Sequence, residues 1–338
     1  MKKAIIVLAA VLAMAGIVVG CVFWYRSATA GLGETQGENL EQPSAAPTET
    51  PTPEPTATVT PMPEPTVTPI EEEPLFTLKE YPKVDASLAI HPLVDSIAAN
   101  FLGMKESELD FEYTTTRSSE VYRNLIDGKV DVIFAAEISE EDKEYAKQQG
   151  VELTIIPTTS SAFVFIVNTE NPVSGLTFEQ IQNIYTGEIT NWSEVGGNNE
   201  DIIAYQRPTG SGSQTAMLSL VMKEKEIMVP PVNQLQGEMG GLIDAIAEYD
   251  NAENAIGYSY FYYVNTMYKR DTIKMLAVDG VAPSIETIKS GAYPIYTNGF
   301  VVYRSDEPAD GTVMKWVNAV LSERGSRIIE EAGYVPVK

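Results

Sequence analysis

Downstream of about residue 76, short apolar runs alternate with segments whose apolar residues recur every three to four positions, a pattern that predicts an α/β fold. Residues 81–87 read as a strand and 92–102 as a helix with Pro92 at its start. Another strand is expected over 109–114. In 119–127, Val121, Tyr122, Leu125 and Ile126 share one helical face, and Gly128 supplies the stop. Residues 130–135 form the kind of apolar run that is buried on both faces of a parallel sheet. Ser139 caps a helix over 140–149, which Gly150 ends.

Two more strands are expected at 151–157 and 162–168. Thr177 and Gln180 make a capping box, with Leu176 and Ile181 in staple positions, for a helix that stops at Gly187. Farther on, the pattern gives strands at 202–206, 255–262, 273–278 and 293–303. It gives helices at 214–223, at 242–249 and over most of 312–331. No repeat of solenoid length occurs. About 260 residues of this kind suit one large domain or two α/β lobes, and the pattern alone leaves both open.

The beginning of the chain follows a different rule. Lys2 and Lys3 precede residues 4–25, which carry no charge and as a helix would extend about 33 Å, enough to cross a bilayer. Two readings stay open for residues 1–26. Trp24 and Tyr25 suit the interfacial end of an uncleaved signal anchor, whereas Val18-Val19-Gly20-Cys21 suits a lipoprotein signal whose cleavage leaves Cys21 for acylation. Either way the cationic end stays inside, and the domain is expected on the extracytoplasmic face of the cell membrane. Residues 27–75, rich in Thr, Pro, Glu, Ala and Gly, bury too little apolar surface to offset their ordering entropy. They are expected to form a disordered, extended linker.

Charge narrows the partners. With 47 acidic and 23 basic residues the formal charge is −24, and the part from Leu75 onward carries −18. Such a surface speaks against nucleic acid. It leaves anion binding open, because a helix start supplies local positive potential. Cys21 is the single cysteine and His91 the single histidine. Neither a thiol nucleophile, a triad nor a zinc site can be assembled downstream of the targeting segment, so no catalytic residue, metal or cofactor is expected and the chain reads as non-enzymatic.

The best local signal lies in 202–222. An apolar strand runs into Arg207, then Pro208-Thr209-Gly210-Ser211-Gly212-Ser213-Gln214-Thr215, then an apolar helix. The glycines admit close backbone approach, the hydroxyls and N–H groups are donors, and Arg207 adds a charged fork. A tetrahedral oxyanion needs that set; an ordinary Gly/Ser loop capping a helix fits it too. The stretch is not a P-loop, since no Gly-Lys-Ser/Thr follows, and it is not a Gly-x-Ser-x-Gly elbow. Two other strand-to-helix junctions, 84–87 and 114–119, leave hydroxyls at a helix start, either as caps or converging on one crevice. The Tyr-rich run 258–263 reads as a strand packed on both faces or as an aromatic ligand shelf. Asn191-Trp192-Ser193 matches a glycosylation sequon that its amphipathic surroundings already explain.

Residues 176–197 followed by 207–213 resemble the phosphate-binding proteins of high-affinity phosphate ABC importers (PstS-like). The similarity runs through Thr177, Gln180, Ile181, Ile184, Tyr185, Gly187, Ile189, Asn191, Trp192, Glu194, Val195, Gly196 and Gly197. Arg207, Gly210, Ser211, Gly212 and Ser213 follow, the last replacing the family's usual threonine. Weaker similarity covers most of 81–337, including Ala255-Ile256-Gly257-Tyr258 and Gly333-Tyr334-Val335-Pro336. The resemblance implies a type-2 periplasmic-binding-protein clamshell over 76–338. It places one lobe at about 76–165 and 292–338 and the other at about 166–291, joined by two crossover strands. It implies ligand contacts from Ser87, Ser118, Arg207, Ser211, Gly212 and Ser213. Two departures stand out. Leu88-Ala89 replace family hydroxyls, and Ala135-Ala136-Glu137 stand where the family has an acid that accepts the proton phosphate carries and sulfate lacks. Glu137 is the expected substitute for that acid.

On this reading the chain is a monomeric solute-binding protein that holds a small oxyanion, phosphate first, for ABC permease subunits in the membrane. A stalked cell-surface sensor or interaction module of the same fold, and a binder of another small anion, are the alternatives.

Overall fold

The computed structural model describes residues 72–337 except 111–112, 114–116 and 249–251. The expected anchor, Cys21 and nearly all of the expected linker lie outside the described residues. Among the described residues, no helix is long and apolar enough to cross a membrane.

In chain order, β1 (Val84–Ala86) leads through one 3-10 turn into α1 (His91–Leu102), which Gly103 closes at φ 64. Then come α2 (Ser118–Ile126), β2 (Val132–Ala135) and α3 (Glu140–Gln148). The Ser139 cap forms as expected: its hydroxyl accepts from the Asp142 N–H at 3.1 Å. β3 (Leu153–Asn168) and β4 (Gly175–Leu176) precede α4 (Phe178–Thr186), whose Thr177/Gln180 capping box is present and whose Gly187 stop is left-handed. β5 (Ile203–Ala204), α5 (Gly212–Ala216), α6 (Met239–Glu248) and β6 (Ala255–Tyr260) follow. The rest is β7 (Ile273–Met275), β8 (Ala277–Val278), α7 (Ile285–Lys289), β9 (Tyr296–Arg304), α8 (Thr312–Val320), α9 (Glu323–Glu331) and β10 (Val335–Pro336).

One curled sheet runs β1-β2-β9-β3-β6-β5, while β4 and β8 form a separate pair. The β1/β2 and β5/β6 contacts are parallel, and the β2/β9, β9/β3 and β3/β6 contacts are antiparallel, so the sheet is mixed. Strand alternation explains how β2 is buried on both faces. Val132 and Phe134 join a core with Leu93, Ile97, Phe101 and Trp316, whereas Ile133 and Ala135 join Val121, Tyr122 and Leu125. A third, larger core gathers the second half of β3 with Ile181, Tyr185, Trp192, Leu242, Ile246 and Tyr258. The fold is therefore two-lobed, with helices against both faces of the first sheet segment.

β3 connects the two halves. Its residues 153–162 pair with β9, and residues 163–167 pair with β6. The two strands expected at 151–157 and 162–168 are thus one 16-residue strand. Pro157 withholds an N–H from the ladder, but a register shift between Pro157 and Thr159 absorbs the defect and the strand continues. Other boundaries move for tertiary reasons. The strand expected over 255–262 ends at Tyr260; the chain then turns helical, and the Tyr262 ring stacks on Tyr334 with centroids 3.7 Å apart. The segment 273–278 splits because β7 pairs with β3 and β8 with β4. The strand expected at 109–114 lies partly outside the described residues, and its described positions form no strand.

Candidate functional site

Three segments that lead into helices meet where the two halves of the sheet join. In the first, β1 delivers Ser87, whose N–H donates to Phe134 O at 3.0 Å. His91 Nε2 lies 2.8 Å from Ala86 O, and the ring stacks on Tyr113 at 3.8 Å, which fixes the turn into α1. Burial pushes the His91 pKa below its ordinary value, against the hydrogen bond to Ala86 and the charges of Asp85 and Asp95.

The second junction is the start of α2. Ser118 Oγ lies 3.0 Å from Ser87 Oγ. Next to it, Ser119 Oγ donates to buried Asp142 at 2.7 Å, and Asp142 also accepts from Ser139 Oγ at 2.6 Å and Arg123 Nε at 3.1 Å. The carboxylate on α3 thereby holds the first turn of α2 in place.

The third junction is the 207–215 loop. The Arg207 N–H donates to Tyr258 OH at 3.0 Å and to Gln214 Oε1 at 3.2 Å. Gly210 has φ +84, a conformation that favours glycine, and its carbonyl accepts from the Ser119 N–H at 3.3 Å. Ser211 Oγ donates to Pro208 O at 2.9 Å, tying the loop to itself. Gly212 packs so closely on α2 that a Cβ there would sit 2.5 Å from Ser118 Oγ and 3.3 Å from Ala136 Cβ.

Between these junctions is a cavity of about 50 Å³ lined by Ser87, Ser118, Ala136, Arg207, Ser211 and Gly212, among others. That is room for a ligand of a few non-hydrogen atoms, well below the several hundred Å³ of a site for a drug-sized molecule. Arg207 is 6% exposed. Its Nη2 donates to Gly237 O at 3.1 Å, while Nε and Nη1 are buried with no partner among the described residues. Burial lowers its pKa, yet a guanidinium keeps its proton, so the cavity holds a buried positive charge. Leu88 and Ala89 add apolar wall in place of hydroxyls.

Six of the seven residues expected at the ligand are gathered here. Five of them line the cavity, and Ser213, fully buried with its Oγ unpartnered, lies next to Gly212 without lining it. Glu137 departs from expectation. Its carboxylate accepts from Ser219 Oγ at 2.7 Å and lines a neighbouring cleft, because the chain leaving β2 turns Ala136 toward the cavity and the next side chain away. No group of His, Cys, Asp or Glu among the described residues is arranged to hold a metal.

The chain matches a known family. The profile of the PBP superfamily domain covers residues 81–324. The chain belongs to the PBP superfamily. Among its curated PBP relatives, the phosphate-binding protein PstS of Bacillus subtilis is 24% identical over 258 residues, spanning 75% of this chain and 80% of that one. PstS of Borreliella burgdorferi is 23% identical over 261 residues, spanning 75% and 89%. A Clostridium perfringens structure with bound phosphate, named for a phosphate ABC transporter substrate-binding protein, superposes with a TM-score of 0.62 at 28% identity. It covers 75% of this chain and 98% of its own.

Thr159, Ser161, Glu238 and Asn298 also line this PBP cavity and carried no expectation from the sequence, whereas Tyr260 and Tyr262 come from the Tyr-rich run considered as a ligand shelf. One signal for Thr159 and Ser161 was available. Thr158-Thr159-Ser160-Ser161 is a hydroxyl run inside an otherwise apolar strand, and such a run is buried at low cost only beside polar partners or a ligand. The sequon at Asn191 has a local role, since the Asn191 side chain accepts from the Ser193 N–H at 3.0 Å.

Proposed function

We propose that this protein is the phosphate-binding receptor of an ABC importer. The observation that carries the reading is the buried Arg207, two of whose guanidinium nitrogens have no partner among the described residues beside a cavity sized for a small anion. A buried cation with unsatisfied donors is costly until an anion supplies the missing charge and acceptors. Ser87, Ser118 and Gly212 line the cavity beside it, and Ser211 and Ser213 would join them as contacts once the Ser211 hydroxyl turns from Pro208 O, so the anion would be gripped from both halves of the fold. The names of the relatives and of the phosphate-bound Clostridium perfringens structure support phosphate as the ligand.

The proposal extends to the rest of the chain. The lobes are assigned to about 76–165 with 292–338 and to about 166–291, in keeping with the separate apolar cores. Residues 1–26 tether the protein to the membrane and 27–75 serve as its linker, which puts the domain on the extracytoplasmic face within reach of the permease. It works as a monomer. Closure of the lobes on the anion creates the surface that the permease reads.

Titration calorimetry of the full chain in detergent with inorganic phosphate tests the reading. Saturable binding of one phosphate per chain is expected. Folded protein that gives no heat with phosphate would rule it out.

A further inference from the structure

The cavity walls differ in hydrogen-bonding sense. The loop side is rich in donors, among them the unpartnered Nε and Nη1 of Arg207. On β9, Asn298 also lines the cavity, and its Oδ1 is buried with no partner among the described residues. Its neighbours Thr297 and Gly299 line the cavity with it, at the stretch of β9 that extends past the end of its pairing with β2. An amide oxygen accepts and does not donate. With the amide in this orientation, a ligand that satisfies both sides offers several acceptors and one hydroxyl.

The cavity has no buried carboxylate that could take this part. Ala136 presents a methyl group, Glu137 bonds to Ser219 outside, and Glu238, the one acidic residue among the described lining residues, is exposed. We infer that Asn298 is the specificity-determining residue, its amide meeting the protonated oxygen of the bound oxyanion. This rests on the anion-binding reading above.

The chemistry of an amide sets the outcome. With Oδ1 inward it accepts the O–H of hydrogen phosphate. After a half-turn about its terminal torsion it presents Nδ2–H to an unprotonated oxygen, and the two orientations have nearly the same shape. A neutral amide also adds no charge to repel a dianion. A fixed acceptor behaves differently: a site built around an obligate hydrogen bond rejects an analogue that lacks the hydrogen by about 10⁴-fold. The reversible amide should separate phosphate from sulfate by only about tenfold, the worth of one neutral hydrogen bond.

The experiment is calorimetric titration of the full chain with phosphate and, separately, with sulfate at pH 7 and matched ionic strength. Wild type should bind sulfate within about tenfold of phosphate. Asn298→Asp should keep phosphate and widen the ratio toward about 10⁴. Asn298→Ala, the mildest truncation, should weaken both anions about tenfold. A wild-type ratio beyond about a thousandfold would overturn the inference while leaving the phosphate receptor intact. So would an unchanged ratio in Asn298→Asp, or unchanged affinities in Asn298→Ala. Failure of folded wild type to bind either anion sinks the receptor reading and this inference together.

Discussion

Replacing Arg207 by methionine should separate the cost of the buried cation from its use. The two unpartnered groups, Nε and Nη1, are the ones available to an anion. Each charge-assisted hydrogen bond is worth about 1.5–3 kcal/mol, so losing both removes about 3–6 kcal/mol of binding. That is about two to four orders of magnitude in Kd. The protein without ligand should respond in the opposite sense. Methionine fills similar space without a charge, relieving a desolvation cost of several kcal/mol, while the Nη2 bond to Gly237 O gives back about 1 kcal/mol. The phosphate-free variant should therefore melt at or above the wild-type temperature. Calorimetric titration gives Kd, and thermal melts with and without phosphate give the second readout. At phosphate a hundred times the wild-type Kd, wild type should gain about 2.7 kcal/mol of stability and the variant almost none. A variant that is much less stable without phosphate, yet binds it nearly as well, would refute the reasoning. Arg207 would then be a structural residue.

Other outcomes follow from the same geometry. Gly212→Ala should weaken phosphate binding by about 1–3 kcal/mol in calorimetry, because its Cβ meets Ser118 Oγ at 2.5 Å and Ala136 Cβ at 3.3 Å and overpacks the junction. Glu137→Gln should leave the phosphate-to-sulfate ratio unchanged, since this carboxylate faces Ser219 and not the cavity; a shifted ratio in competition titrations would contradict that placement. His91 gives a pH signature. Burial lowers its pKa in the folded state, so the unfolded chain binds more protons as pH falls through the ordinary histidine value of about 6.5. The stability associated with its neutral ring is complete above that pH and is lost progressively below it. Melts from pH 8 to 5 should show wild type losing stability relative to His91→Gln, and a constant gap between the two would refute the assignment.

Local chemistry was legible wherever a residue's role depends on its near neighbours along the chain. The Thr177/Gln180 capping box, the Ser139 cap and the Gly187 stop are decided within a few positions, and each forms as read; the apolar run of β2 is buried on both faces as expected, but its sheet is mixed and not parallel, because β9 pairs with it antiparallel. The donor-rich 207–215 loop and the hydroxyls at Ser87 and Ser118 were visible for the same reason: hydroxyl and helix start are consecutive. Their meeting was not. Ser87 and Ser118 are 31 residues apart, and Gly212 joins them only because the sheet brings β1, α2 and the loop to one point. Tertiary packing also overruled local punctuation. Pro157 looked like the end of a strand, but pairing with β9 on one side of a register shift and β6 beyond it carries β3 through. The direction in which Glu137 leaves β2, and the presence of Asn298 beside the cavity, are likewise decided by tertiary packing. A one-residue change of register reverses which side chains face inward, and that choice is made by partners far along the chain.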